Sequence, residues 1–404
     1  MTLDTSRPVL LLGGGASTLA AARSLGSAGI PVYASGSTCR AMKSRYCSLA
    51  RPVPHGVKSQ AYWRQILIDE PDERLAGSLL MPGCDESLEF IEAHHQALRQ
   101  RYVVEEFVPE LRRAMLDKLQ TLELARQAGV PTPNFWRIER AEDVEAIKDE
   151  LLLPVMVKPL HSYAFMEAFG RKLFIINDSV DEVAEKVSLC LSRGHPVMVV
   201  EMIPGPDDLL SSYYTYRTPQ GRMLYDYTKS VIRRWPVNRG GACFHQSRWL
   251  PETAALGRHL FEAIGWEGIG NVEFKRDVRD GKLKIIEVNG RLTAGHPLLT
   301  RGGARIDLMI YCHLTGQPVP PLGQYAQNLR LWDPLRDFMA YRQLAHRGEL
   351  SLMGWFRSIF AQKIVFPFFS FDDPWPGLTE AWATIVKLFS RPLRVRQAAL
   401  PSAD

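Results

Sequence analysis

From Gly270 to Arg291 the chain reads GNVEFKRDVRDGKLKIIEVNGR, two strand-forming runs separated by Asp280-Gly281. Asp-Gly between such runs is turn chemistry, and the segment is expected to fold as an antiparallel hairpin. Strand alternation puts Glu287 and Asn289 on one side and Ile286 and Val288 on the other, while Glu273 stands on the opposing run between Val272 and Phe274. A register that turns Glu273 toward Glu287 and Asn289 brings together two carboxylates and an amide oxygen. Hard donors of that kind suit Mg²⁺ better than zinc or copper. Arg291, two residues further on, reaches the same pocket. The other reading is an ordinary hairpin with a solvated polar face, and the hairpin alone does not separate the two.

The 404 residues, 46% of them apolar, are too many for one simple core and suggest two or three domains. Six cysteines (Cys39, Cys47, Cys84, Cys190, Cys243 and Cys312) are scattered without a CxxC pair or metal spacing. A zinc site or a secreted disulfide framework is therefore not indicated, and a reducing cytoplasm is expected. Asp4 and Arg7 precede any apolar run, and Gly13-Gly14-Gly15 breaks the one that follows, so no secretory signal is expected. A formal charge of +5, with basic and acidic residues interleaved, gives no nucleic-acid footprint.

The first hundred residues read as a small open parallel α/β sheet. Pro8–Leu12, Pro31–Ser35 and Ser78–Pro82 are strand candidates, and Ser17–Ala28 is a helix after the glycine turn. The glycines invite an NAD-dependent dehydrogenase reading. However, Thr18 stands where the third glycine of GxGxxG belongs, and the second strand runs into Ser35-Gly36 rather than a ribose-binding acid.

From Leu116 the pattern changes. Asp117-Lys118 opens an amphipathic helix that stops at Gly129, and LPVMVKP then reads as a buried strand carrying Lys158. Ser179–Arg193 reads as a helix with Ser179 and Glu182 as its capping box, and HPVMVVEMIPG as a strand that breaks at Pro204-Gly205. Further strands are expected between Ser212 and Arg248, then a helix over Glu252–Ala263.

In this order, Asp117-Lys118, Val157-Lys158-Pro159, Glu201-Met202-Ile203-Pro204-Gly205, Lys229, Glu273 and Glu287-Val288-Asn289-Gly290-Arg291 resemble the ATP-grasp superfamily. The likeness is to its carboxylate-amine ligase-like branch, related to biotin carboxylase and D-aspartate ligase, and it covers roughly 116–307. It implies a pre-ATP-grasp α/β domain over 1–112, a two-lobed ATP-grasp domain over 113–320 (lobes about 113–202 and 203–320), and a C-terminal helical extension over 321–404. It further implies a ligase that uses ATP and one or two Mg²⁺ to phosphorylate a small-molecule carboxylate, which a small-molecule amine then attacks. In that scheme Lys118 and Lys158 contact the nucleotide phosphates. Backbone groups of Glu201, Met202 and Ile203 hold adenine, and Asp208, with Asp207 close behind, takes the ribose. Glu273, Glu287 and Asn289 hold metal, Lys229 faces the phosphates, and Arg291 stabilises the transferring phosphoryl group.

One segment departs from the pattern. Where the family places a glycine-rich lid, this chain has Leu160-His161-Ser162-Tyr163-Ala164-Phe165-Met166, and its first glycine there is Gly170, with Lys172 beyond. That departure admits a second class of function, an inactive ATP-binding regulator or scaffold. Asp85-Glu86, the Arg239 turn, Arg248, His296 and Arg301 are expected around the acceptor cleft.

Past Pro320, SLMGWFRSIFAQKIVFPFFSF (Ser351 to Phe371) is densely aromatic, and RPLRVRQ is basic. Arg357, Gln362, Lys363 and Pro367 interrupt it too often for a membrane span. Two readings stand for 351–397: peripheral contact with an anionic membrane, which would put the protein at the inner face, or packing on the domain or at a homodimer interface.

Overall fold

The computed structural model describes residues 3–160, 165, 168–171, 173–360 and 362–389. Fifteen strands among them form three sheets: β1 (Val9–Leu12), β2 (Val32–Gly36), β3 (Cys47–Pro52), β4 (Leu79–Pro82), β5 (Phe135–Ile138), β6 (Val155–Pro159), β7 (Phe174–Ile176), β8 (Val197–Glu201), β9 (Leu210–Arg217), β10 (Met223–Trp235), β11 (Gly241–Ser247), β12 (Gly268–Arg276), β13 (Leu283–Asn289), β14 (Arg330–Trp332) and β15 (Ile364–Val365).

The N-terminal sheet is parallel in the order β3-β2-β1-β4. β1 and β4 are fully buried apolar runs, as a sheet covered on both faces requires. β3 is an edge strand of alternating exposure, polar enough that its sequence does not read as a strand. Gly13 and Gly14 adopt positive φ (68° and 78°) and lead into the helix Ala16–Ser27. Thr18 is buried against this turn: a Cβ on Gly83 would lie 2.2 Å from the Thr18 methyl, and one on Gly14 2.8 Å from it. The Thr18 methyl packs against the turn at the position where a dinucleotide fingerprint has its third glycine, the one that lets helix and strand approach closely.

The other two sheets are mixed or antiparallel. One is four-stranded, β5-β8-β6-β7, and the other seven-stranded, β13-β12-β9-β10-β11-β14-β15. The Asp117 carboxylate caps the helix Lys118–Gln127, accepting from Leu119 N–H (2.8 Å) and Gln120 N–H (3.1 Å). Ser179 Oγ caps Val180–Ser192 by accepting from Glu182 N–H (3.2 Å). The helix Pro251–Ala263 packs on β9, where Gly257 lets the Tyr213 ring approach.

The described residues after Pro320 add to the large sheet. β14 and β15 extend the large sheet, and the helices Pro334–His346, Leu352–Phe360 and Trp375–Phe389 follow. One apolar core runs from Val9 and Leu11 of the N-terminal sheet through Tyr214 and Tyr227 of the large sheet to Ile310, joining the two units.

Candidate active site

β12 and β13 form the expected hairpin, with Asn271 opposite Asn289 and Glu273 opposite Glu287. The next pairing, Phe274 with Ile285, leaves Ile286 as the extra residue of a bulge. The bulge changes the phase of β13: Ile285 and Val288 enter the core, whereas the alternation read from sequence had paired Ile286 with Val288. Above the bulge the polar face is intact.

Two carboxylates directly opposed across a strand pair repel each other unless cations intervene. Burial, followed by Lys229 and then Glu287, governs Glu273, and the net result is a carboxyl raised above its ordinary value. Burial also works against ionised Glu287, but Lys158, Lys118, the Asn289 amide and Arg291 together hold its carboxyl below the ordinary value. The Asn289 amide nitrogen turns to Glu287 Oε1 (3.3 Å) and Asn271 Oδ1 (3.5 Å), which leaves Asn289 Oδ1 as the atom available to a cation. Among the described residues no cluster of three or more His, Cys, Asp or Glu has metal-ligand geometry. Two carboxylates and one amide oxygen therefore fit a Mg²⁺ that takes its remaining ligands from water and phosphate rather than one caged by protein.

Cations ring this pair. Lys158, on β6 of the smaller sheet, is pushed down to about 8, chiefly by burial, with Glu287, Lys118 and Glu273 as its charged neighbours. Lys118 sits at the first helical position after Asp117. Lys229, buried on β10, hydrogen-bonds His245 Nδ1 (3.3 Å), and His245 Nε2 donates to Ala242 O (3.1 Å). Burial, then Lys229, drives the imidazole well below its usual range, so a neutral ring with a fixed tautomer accepts from the lysine. The sequence reading missed His245; its only signal is that it lies on the strand beside Lys229. Thr293 and Gly295 close the pocket, with the Thr293 hydroxyl 3.1 Å from Tyr214 Oη, and a Cβ on Gly295 would lie 2.7 Å from that same oxygen and 3.1 Å from the Lys229 chain.

The hinge segment differs in detail from expectation. The Glu201 side chain is sealed inside, accepting from Arg279 and from Asn134 N–H (3.2 Å), and its backbone N–H donates to Asn134 O (2.9 Å). Met202 N–H donates to Pro154 O (3.2 Å), and Ile203 O accepts from Lys275 Nζ (2.9 Å). Asp207 is committed to Arg234 (2.8 Å) and Asn238 N–H (3.2 Å), whereas Asp208 is exposed. Lys275 is pushed down to about 8, first by burial and then by Arg234.

Arg291 extends away from the hairpin to the N-terminal unit, where Nε and Nη2 grip Asp85 at 2.5 and 3.0 Å. Two of the expected cleft residues lie elsewhere. His296 is buried 3.9 Å from Asp307, and Arg301 pairs with Asp372 of the C-terminal segment (3.1 Å). Arg239 and Arg248 are exposed on the surface. His161, Ser162, Tyr163, Ala164, Met166 and Lys172 of the expected lid lie outside the described residues.

No family model matches the chain. It is 24% identical over 181 residues to a D-alanine--D-alanine ligase of Acinetobacter baumannii, covering 43% of this chain and 56% of that one. It is 22% identical over 237 residues to a D-aspartate ligase of Enterococcus faecium, covering 56% of each. The chain thus spans about half the length of the curated relatives it matches. Among solved structures, an ADP complex of N5-carboxyaminoimidazole ribonucleotide synthetase superposes with TM-score 0.59 at 12% identity, over 80% of this chain and 81% of that one. Biotin carboxylase from Campylobacter jejuni gives TM-score 0.60 at 18% identity, over 81% and 75%. The chain thus has the fold of these ATP-grasp structures, and its partial sequence matches are to D-alanine--D-alanine and D-aspartate ligases.

Proposed function

We propose that this protein is an ATP- and Mg²⁺-dependent carboxylate-amine ligase. The observation that carries the reading is the opposition of Glu273 and Glu287 within reach of Lys158, Lys118 and Lys229: two like charges held together are stable only where cations bind between them. Glu273, Glu287 and Asn289 Oδ1 would hold the ion, which supplies charge neutralisation for phosphate oxygens when bound.

The chain's own groups account for the rest. Lys118 and Lys158 bind phosphate oxygens from the smaller lobe, and Lys229, its donor direction set by neutral His245, does so from the larger. The backbone from Glu201 to Ile203 meets the adenine edge, and Asp208 accepts from the ribose hydroxyls. The γ-phosphoryl group passes from ATP to a substrate carboxylate oxygen, leaving ADP and an acyl phosphate. An amine nitrogen then attacks the acyl carbon, the C–O bond to phosphate breaks, and the nitrogen loses a proton as inorganic phosphate leaves. Arg291 would stabilise the acyl phosphate, with its guanidinium oriented by Asp85.

The test is ADP release by the purified protein with mixtures of amino acids and amines, compared with Glu287→Gln. The expected result is turnover that needs both substrates and falls about a hundredfold or more in the variant. Absence of any ATP-Mg²⁺ binding signal by calorimetry, or equal activity of parent and variant, sinks the reading.

A further inference from the structure

The C-terminal segment is anchored by its acids and presents its aromatic residues to solvent. Between Ser351 and Phe389 the only acids are Asp372, Asp373 and Glu380. Each is neutralised by an arginine from outside the segment: Asp373 by Arg23 (2.9 Å, both buried), Asp372 by Arg301 (3.1 Å) and Glu380 by Arg40 (2.5 Å). Arg357 and Lys363 of the same segment are exposed and form no ion pair among the described residues. The charge this segment shows outward is therefore basic, and the sequence continues with Arg391, Arg394 and Arg396.

The outward apolar residues follow helical spacing. On the helix Trp375–Phe389, Trp375, Leu378, Trp382 and Val386 fall at i, i+3, i+7 and i+11, with Trp375 62% and Trp382 68% exposed. On Leu352–Phe360, Trp355 and Ile359 are buried, while Leu352, Phe356 and Phe360 form an exposed stripe four residues apart with Met353 beside it; Phe360 is 76% exposed. A chain of ring contacts, Trp332 to Phe366 to Phe369 to Phe371, runs between the two helices and ends on Phe371, which is 94% exposed. Elsewhere among the described residues, and apart from Leu335 and Phe338 next to this region, large apolar side chains so exposed are single ones: Val57, Leu152, Trp249 and Val278. Among the described residues no helix is long and apolar enough to cross a membrane.

We propose that the helices Leu352–Phe360 and Trp375–Phe389 form a membrane-docking face that seats the protein on an anionic lipid surface. Tryptophans at the headgroup level, aliphatic residues in the acyl boundary and unpaired cations over anionic headgroups are the three contacts such a face needs. A second copy of this chain fits less well, because a two-fold contact would set the same unpaired cations against themselves, the segment's acids being already paired with arginines.

The test is flotation of the full chain with vesicles of phosphatidylcholine alone and of phosphatidylcholine with phosphatidylglycerol. Binding to the anionic vesicles, weakened at high salt, is expected, with at least about a tenfold loss in the double variant Trp375→Ser, Trp382→Ser. Both residues are exposed, so an unchanged thermal melt certifies the variant's fold. Failure of the parent to float with anionic vesicles at low salt overturns the proposal, as does equal flotation of parent and variant. Light scattering that finds a dimer dispersed by the double variant, without vesicle binding, assigns the face to self-association and overturns it too.

Discussion

Arg291 and Asp85 form a two-pronged ion pair, 2.5 and 3.0 Å, between residues 206 positions apart, and it ties the β12–β13 hairpin to the N-terminal unit. Asp85 opens the helix Asp85–Ala93 directly after β4, so a rigid parallel sheet sets where the guanidinium points. Asp85→Asn should leave ATP affinity within about threefold while lowering kcat/KM for the acceptor by about tenfold to a hundredfold, because misplacement of an orienting group acts on the transition state. Separate titrations of nucleotide and of acceptor check this. Equal losses for both would make Asp85 a fold-stabilising residue only.

The Glu273–Glu287 opposition predicts a stability signature that needs no substrate. Removing one charge with Glu273→Gln should stabilise the ligand-free protein by up to about 1 kcal/mol, since like charges directly opposite each other in a sheet destabilise by that order. The same change should abolish the rise in Tm that Mg²⁺ with nucleotide gives the parent through binding to the folded state. Thermal melts with and without Mg²⁺ and nucleotide measure both effects. A variant less stable than the parent without ligand would mean that the pair shares a proton or a bonding partner rather than repelling.

Much of this architecture is legible in the chain, and what is not has physical reasons. The four-residue buried runs of β1 and β4 and the Asp-Gly turn of the hairpin announce themselves because burial and turn chemistry are local. β3 does not, because an edge strand carrying Arg51 and Pro52 has the composition of a loop. The bulge at Ile286 is invisible to simple alternation, which assumes a constant phase, although the polar face it leaves is the one the residues suggest. Lys158 and Lys229 stand out as lysines inside apolar strands. Their partners do not: His245 reaches Lys229 through strand pairing, Arg279 reaches Glu201 from across the hairpin turn, and Asp85 reaches Arg291 from another sheet. Long-range partners are a product of topology, which residue type alone does not encode.

Lys158 predicts a pH dependence. Burial lowers it from the ordinary lysine range to about 8, so its charge is present below that pH and lost above it. Nucleotide affinity should fall as pH rises through about 8, and Lys158→Arg, whose charge does not titrate there, should flatten the profile. Stability runs the other way. Between about 8 and the ordinary lysine value the unfolded chain holds a proton that the folded chain has released, so this group's contribution to stability rises with pH across that window. Calorimetric ATP titrations from pH 7 to pH 9 check the first sign, and urea midpoints over the same range the second.

Asp337 fastens the helix Leu352–Phe360 to the large sheet. Fully buried, it accepts from Arg233 Nε and Nη2 (2.6 and 3.0 Å), from Trp332 Nε1 (2.9 Å) and from Trp355 Nε1 (2.8 Å), so one carboxylate joins β10, β14 and the helix Leu352–Phe360. Asp337→Ala leaves a buried guanidinium and two indole donors without an acceptor. Breaking a buried pair from one side costs about 3 to 5 kcal/mol, a large share of a typical domain's stability. Asp337→Asn keeps one oxygen for the donors and should cost less, while Arg233→Met together with Asp337→Leu, which removes both charges, should recover part of the loss. Urea unfolding followed by tryptophan fluorescence orders the three variants. If Asp337→Ala were as stable as the parent, water rather than the carboxylate would be satisfying these donors.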